Sequence, residues 1–309
     1  MSGLGLHTNF WDVGGDSLKA MRLIMRMKKE GFIDFGLREA FEYQTVASIV
    51  EHISQKKSSE EAESDIVELA SRQFPVARLF CLPYACGNPT MYREFGLVLP
   101  TDYALLAANM PGHGKNGEPL SSIAAIGRLY AERLAELAGQ APLFILGYSF
   151  GGHVAYEIAR LLEERNTPAN GVIIVSSPPP GVQEGLRAIQ DSSDEEITRH
   201  SKEIYGYDFK DMTEAERESY LKTLKTDTRS MVEFEFSGAL QTPALVLAGS
   251  HEEEAAIRDE ARKWSRAFAH CEFGELPGAH MLIKTHVGDL AQRTADFIDR
   301  LVLEGKGDK

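Results

Sequence analysis

Short apolar runs alternate with stretches of helical apolar spacing over most of this chain. The runs VARLFCLPYA (76–85), YALLAANM (103–110), PLFILGY (142–148), NGVIIVSS (170–177) and TPALVLAGS (242–250) predict five strands. Residues 122–138, about 150–165, 255–269 and 287–303 carry helical periodicity. Strands this uniformly apolar, separated by helices, predict an α/β fold whose mostly parallel sheet is buried on both faces. One segment breaks the alternation. Residues 183–238 are rich in Glu, Lys, Asp and Thr, with helical stretches at 194–205 and 213–231. So long an insertion between two strands is expected to form a helical lid over the carboxyl ends of the strands. Its Tyr205, Tyr207, Phe209 and Phe234 are candidates for a pocket lining or for the lid's own core.

The N-terminal part reads differently. Leu18, Met21, Leu23, Ile24 and Met27 fall at near-helical spacing, and Val46, Ile49, Val50 and Ile53 do so again, so a small all-α unit is expected over 1–56. SQKKSSEEAESD (54–65) has almost no apolar residue and opens a linker expected over 57–74. The α/β domain follows over 75–305.

Composition narrows the function classes. The 309 residues are 43% hydrophobic and 26% charged, enough to bury a full core, with a net charge of −13. A chain this acidic makes a poor partner for a phosphate backbone, so nucleic acid is not expected. Cys81, Cys86 and Cys271 are too few and too irregular for a disulfide framework or a metal site, which fits a reducing, cytoplasmic setting. No apolar run approaches the roughly 20 residues of a membrane span, and the N-terminus lacks the pattern of a signal peptide.

The chemistry gathers at FILGYSFGGHVAYEI (144–158), where an apolar run stops and a helical pattern starts at once. Gly147-Tyr148-Ser149-Phe150-Gly151 fits G-x-S-x-G between strand and helix. A serine on such a corner projects its hydroxyl from the sheet, and the flanking glycines leave room for the turn. A neutral alcohol is a weak nucleophile and needs a base. His280, in LPGAHMLIK before the last helix, lies where α/β-hydrolases, which this segment resembles, carry theirs. The triad acid has two candidate loops. VSSPPP after the fourth strand offers only Ser176 and Ser177. AGSHEEEAA after the fifth offers Glu252, the first choice, then Glu253, although an acidic turn before a helix explains the same residues. The Phe150 backbone N–H and one from LPYACGNP, of Ala85 or Cys86, are the expected oxyanion donors. Cys86 is expected to pack rather than react.

A second serine stands in FWDVGGDSLKA. Asp16 and Ser17 suit a helix start, but the whole phrase, followed by LREAFEYQTVASIVEHI, resembles the carrier domains of non-ribosomal peptide and polyketide synthases from about Leu4 to Ile53. That resemblance implies 4′-phosphopantetheine on Ser17, placed there by a phosphopantetheinyl transferase. Carrier domains begin with a helix some 20 residues before this phrase. Only 16 residues precede Ser17, so that first helix is expected to be absent.

Residues 76–303 resemble the thioesterases of the same synthases, through FCLPYACGNPTMYREF, LLAANMPGHGKNGEP, LGYSFGGHVAYEIA and ELPGAHMLI. The details are closer to the editing (type II) form, whose acid follows the fifth strand. That implies Glu252, with Glu where Asp is usual. Fusion behind a carrier is instead the habit of the terminal releasing form. The resemblance implies that the chain takes an acyl or peptidyl thioester from upstream synthetase modules onto Ser149 and releases it by hydrolysis or cyclisation. Transfer to an external amine or alcohol and a non-catalytic docking role are the alternatives.

Overall fold

A computed structural model describes residues 5–29, 37–53, 64–113, 118–137, 141–179, 181–182, 184–205, 209–252 and 255–307. The chain divides into two compact units, Met1–Ser64 and Asp65–Lys309.

The first unit is helical. It contains α1 (Ser17–Lys29), α2 (Leu37–Glu42) and α3 (46–53). Its core is small: Ile24 and Ala40 are buried, with Met27, Ile49 and Ile53 packed against them. The irregular segment before α1 is tied to the later helices. Phe10 N donates to the Gln44 carbonyl at 2.7 Å, Ala47 N to that of Leu6 at 2.9 Å, and the rings of Trp11 and Phe41 stack at 4.6 Å. Met21, Met25, Val46 and Val50 stay exposed.

The second unit is a seven-stranded sheet. Its elements, in chain order, are β1 (Ile66–Ala70), β2 (Ala77–Leu82), α4 (Arg93–Val98), β3 (Tyr103–Ala108), α5 (Ile123–Ala135), β4 (Leu143–Tyr148), α6 (Phe150–Glu164) and β5 (Gly171–Val175). Then come α7 (Glu184–Asp191), α8 (Asp194–Tyr205), α9 (Glu214–Glu233), β6 (Ala244–Gly249), α10 (Ala255–Asp259), β7 (Cys271–Leu276), α11 (Leu282–Thr285) and α12 (Val287–Gly307). The strand order is β1-β3-β2-β4-β5-β6-β7, and only β1 runs antiparallel.

Period-two alternation sends each central strand to both faces. In β2, Phe80 and Leu82 join the core under α5 and α6, beside Tyr130, Val154 and Ile158. Leu79 and Cys81 face the other core, with Phe95 of α4 and Leu290 and Ile298 of α12. Both faces are covered, so the strands read as continuous apolar runs. The five expected strands are present. Two were not expected. β1 lies inside the stretch taken for linker, which corrects its 57–74 bounds, and β7 follows the region expected as one helix over 255–269. That region holds α10 and a 3-10 turn, Ala261–Arg266, whose Trp264 is buried. The insertion after β5 is helical as expected, forming α7, α8 and α9.

The strand order reverses direction at β2: β3 lies on one side of it, β4 and all later strands on the other. Crevices at such switch points, beyond the carboxyl ends of the strands, are where open α/β sheets place their chemistry.

Candidate functional site

Ser149 stands where β4 ends and α6 begins, at φ 50° and ψ −115°. A residue with a Cβ rarely takes that side of backbone space, and such strain collects at functional corners. The Ser149 amide donates to the Val175 carbonyl at 2.8 Å, which pins the corner to the end of β5. Two glycines make the turn possible. A Cβ on Gly147 would lie 2.2 Å from the Gly151 carbonyl oxygen, and one on Gly151 would lie 2.4 Å from that of Leu82. The start of the loop after β2 also lies against the first turn of α6, since the same Cβ would lie 2.8 Å from the Pro83 carbonyl oxygen. That turn begins with Phe150, and helix N-terminal N–H groups favour negative charge.

His280 follows β7 and is 2% exposed. Its Nδ1 is hydrogen-bonded to Oε1 of Glu252, which follows β6 and is buried as well. A carboxylate only accepts, so Nδ1 carries the proton and Nε2 is the basic nitrogen. The other Glu252 oxygen, Oε2, accepts from Ser176 Oγ at 3.2 Å and from the Gly249 amide at 3.3 Å. The loops after β6 and β7 are laced together: Ser250 N donates to the Leu276 carbonyl at 2.9 Å and His251 N to that of Gly278 at 2.8 Å. Tyr148, immediately before Ser149, donates its hydroxyl to the backbone carbonyl of His280. The serine corner and the histidine loop are thus bound at the same edge of the sheet.

The other residues around these loops divide clearly. Glu253 lies outside the described residues. His153, one turn into α6, is buried with its Nε2 2.8 Å from the Pro178 carbonyl and its ring 5.1 Å from that of Phe236. Burial lowers its pKa to about 4, so it is a neutral packing residue. The Cys86 thiol is pushed well up by burial and then by the charge of Asp227, which keeps it protonated, and its sulfur contacts the Tyr220 carbonyl at 3.4 Å. In the insertion, Phe209 packs on Tyr220 with ring centroids 5.1 Å apart, and Phe234 joins Tyr156 and Phe236 against the main core; Tyr207 lies outside the described residues. Sequence reasoning assigns no role to Tyr148, a variable position of G-x-S-x-G, or to Asp227, because each acts through a contact distant in sequence.

In the first unit, Ser17 is the first residue of α1, after Gly14-Gly15-Asp16. Asp16 Oδ1 accepts from Lys19 N at 2.8 Å and caps the helix, and Gly14 sits at φ 90°. A serine at the start of a 13-residue helix, next to exposed loop, fits a phosphodiester, whose charge the helix N-terminus favours. Among the described residues no group of three or more His, Cys, Asp or Glu could hold a metal ion, and no helix is long and apolar enough to cross a membrane.

The sheet order, the strained serine corner and the buried histidine–carboxylate pair define an α/β-hydrolase architecture. Residues 77–300 match the thioesterase domain family and residues 2–53 match the phosphopantetheine attachment site family. The chain belongs to the thioesterase family, with a phosphopantetheine-bearing carrier region before it. Its curated relatives include a mycosubtilin synthase polypeptide of Bacillus subtilis, 30% identical over 177 residues, and a surfactin synthase polypeptide of Bacillus subtilis (strain 168), 31% identical over 176. These matches cover 57% and 56% of this chain but only 6% and 12% of those proteins. Among solved structures, YbtT, a type II thioesterase from the yersiniabactin pathway, aligns with a TM-score of 0.68 at 24% identity, over 77% of this chain and all of that one. A four-domain non-ribosomal peptide synthetase, AB3403, aligns over 95% of this chain and 24% of its own length, with a TM-score of 0.62 at 21% identity. Both likenesses speak for the fold.

Proposed function

We propose that Ser149 is the nucleophile of a serine thioesterase, with His280 as its base and Glu252 as the acid that orients His280. The observation that carries this reading is the buried His280–Glu252 hydrogen bond, at the edge of the sheet where Ser149 is held in a strained corner. Glu252 holds the imidazole by Nδ1 and stabilises it once protonated. His280 Nε2 takes the proton as Ser149 Oγ bonds to the thioester carbonyl, and returns it to the departing thiol. The amides of Phe150 and Ala85 meet the charge that develops on the carbonyl oxygen. His280 then activates the second nucleophile, which is water or a group within the acyl chain itself, and frees Ser149.

Ser17 would hold the phosphopantetheine, whose thiol would carry the acyl or peptidyl chain. The polar linker keeps that carrier at an effective concentration of about millimolar to the Ser149 corner. Upstream modules of a non-ribosomal peptide or polyketide synthetase are the source of the chain, and the compartment is the cytoplasm.

The test is intact-mass and product analysis of the full chain, modified on Ser17 and loaded with candidate acyl groups, as wild type and Ser149→Ala. Free acid or ring from the wild type and a persistent thioester on Ser149→Ala support the reading. Equal release from both would reject it. Product formed only when an external amine or alcohol is supplied would reassign the chain to acyl transfer.

A further inference from the structure

The lid helix carries one buried carboxylate. Asp227 on α9 is 2% exposed, and its Oδ2 accepts from the Cys86 amide at 3.0 Å and pairs with His113 Nε2 at 2.9 Å. His113, equally buried, belongs to the loop after β3, and its Nδ1 lies 2.7 Å from the Gly87 carbonyl oxygen. A carboxylate and a carbonyl both accept, so the ring needs two N–H groups and stands as imidazolium. Burial alone lowers its pKa, but the charge of Asp227 and the bonds to Asp227 and Gly87 outweigh it and raise the value above 6.5.

All these contacts fall on one turn. Asp227 holds the Cys86 amide, and His113 holds the Gly87 carbonyl. Tyr220, also on α9, accepts from Cys86 Sγ. Cys86 sits at φ 60°, a left-handed conformation that a residue with a Cβ takes only when its surroundings impose it. The same helix adds a bond from Thr223 Oγ1 to the Gly112 carbonyl at 2.8 Å, beside His113. The ring of His113 also lies 6.2 Å from that of Phe150. With the Cys86 amide committed to Asp227, the amide this turn can offer a developing oxyanion is that of Ala85.

We propose that Asp227 and His113 are positioning residues, a pair contributed by the lid and by the β3 loop that fixes the Ala85–Gly87 turn, so that the oxyanion hole is complete only while α9 is docked. The lid helix then does more than cover the site, because undocking it withdraws a donor from the transition state. This inference rests on Ser149 being the nucleophile.

The experiment measures the rate at which a fluorophosphonate labels Ser149, followed by intact mass, with kcat and KM on a pantetheinyl thioester. It uses the full chain as wild type, Asp227→Ala, Asp227→Asn, His113→Gln and the double variant Asp227→Ala/His113→Gln. Loss of an oxyanion donor costs about 100-fold or more in the chemical step. Asp227→Ala is therefore expected to lose about that factor in labelling rate and in kcat, with KM little changed. Asp227→Asn, which keeps an acceptor for the Cys86 amide, recovers part of the loss. The double variant is no slower than Asp227→Ala, because the pair acts as one unit. His113→Gln keeps the acid but removes the bond to Gly87, and its expected loss of about tenfold supplies the test if Asp227→Ala does not fold. Wild-type labelling and kcat in folded Asp227→Ala and His113→Gln would overturn the inference, as would a loss confined to KM. An unlabelled wild type would overturn the nucleophile assignment itself.

Discussion

Ser176 Oγ donates to Oε2 of Glu252 across 3.2 Å, joining the corner after β5 to the carboxylate after β6. Ser176 sits at φ 45°, and its amide is fixed to the Leu247 carbonyl at 2.8 Å, so this donor is held by the sheet itself. Glu252 therefore has one oxygen for His280 and the other for Ser176 and the Gly249 amide. The longer arm of glutamate is restrained at both ends.

If Glu252 is the acid, Glu252→Gln should lower kcat by about 10³–10⁴-fold, since the neutral amide neither sets the right tautomer nor stabilises the imidazolium. Glu253→Gln should leave steady-state turnover of a pantetheinyl thioester unchanged. The opposite pattern would move the acid to position 253.

Removing the second partner should cost less. A bond to a charged group contributes about 1.5–3 kcal/mol, and Gly249 N still serves the same oxygen. Ser176→Ala should reduce kcat/KM by about tenfold and shift KM little. Wild-type kinetics in this variant would make the bond incidental.

The Asp227–His113 pair sets a pH dependence. Against His113 stand the Asp227 carboxylate from α9 and the Cys86 thiol from the β2 loop, with the Tyr220 phenol close to both; the thiol and phenol are raised by burial and stay neutral. The folded pKa of His113 is raised, so its stabilising share is whole below its ordinary value of 6.5 and is lost as pH rises through the raised value. Hydrogen exchange in 214–233 should therefore quicken on the alkaline side beyond the intrinsic effect of pH, and His113→Gln should flatten that excess. An excess of the same size in both proteins would contradict it.

Ser17 should be the only site modified by a phosphopantetheinyl transferase with coenzyme A. One phosphopantetheinyl mass is expected on the wild type and none on Ser17→Ala. Modification of the variant would place the attachment elsewhere.

Much of this was legible before the structure. The central strands announce themselves because both of their faces are buried; Ser149 and Glu252 are proposed from their positions after a strand, and His280 from its place before the last helix. The edges were not. In β1 (IVELA) only Val67 is buried, and in β7 (CEFGEL) only Leu276 is, so neither edge strand shows a continuous apolar run. Trp264 helped to make 255–269 resemble one helix, although its side chain fills the core from a 3-10 turn. The Cys86–Asp227 contact spans 141 residues and the Tyr148–His280 contact 132, and no local pattern encodes either.

Covalent catalysis through Ser149 is tested most directly by acid-quenched peptide mapping. The full chain is mixed with an acyl-pantetheine thioester and quenched within one turnover. The acyl group is expected on Ser149, with none on Ser149→Ala and slow acylation of His280→Ala. Turnover at the wild-type rate by Ser149→Ala, or an acyl group found on another residue, would contradict it.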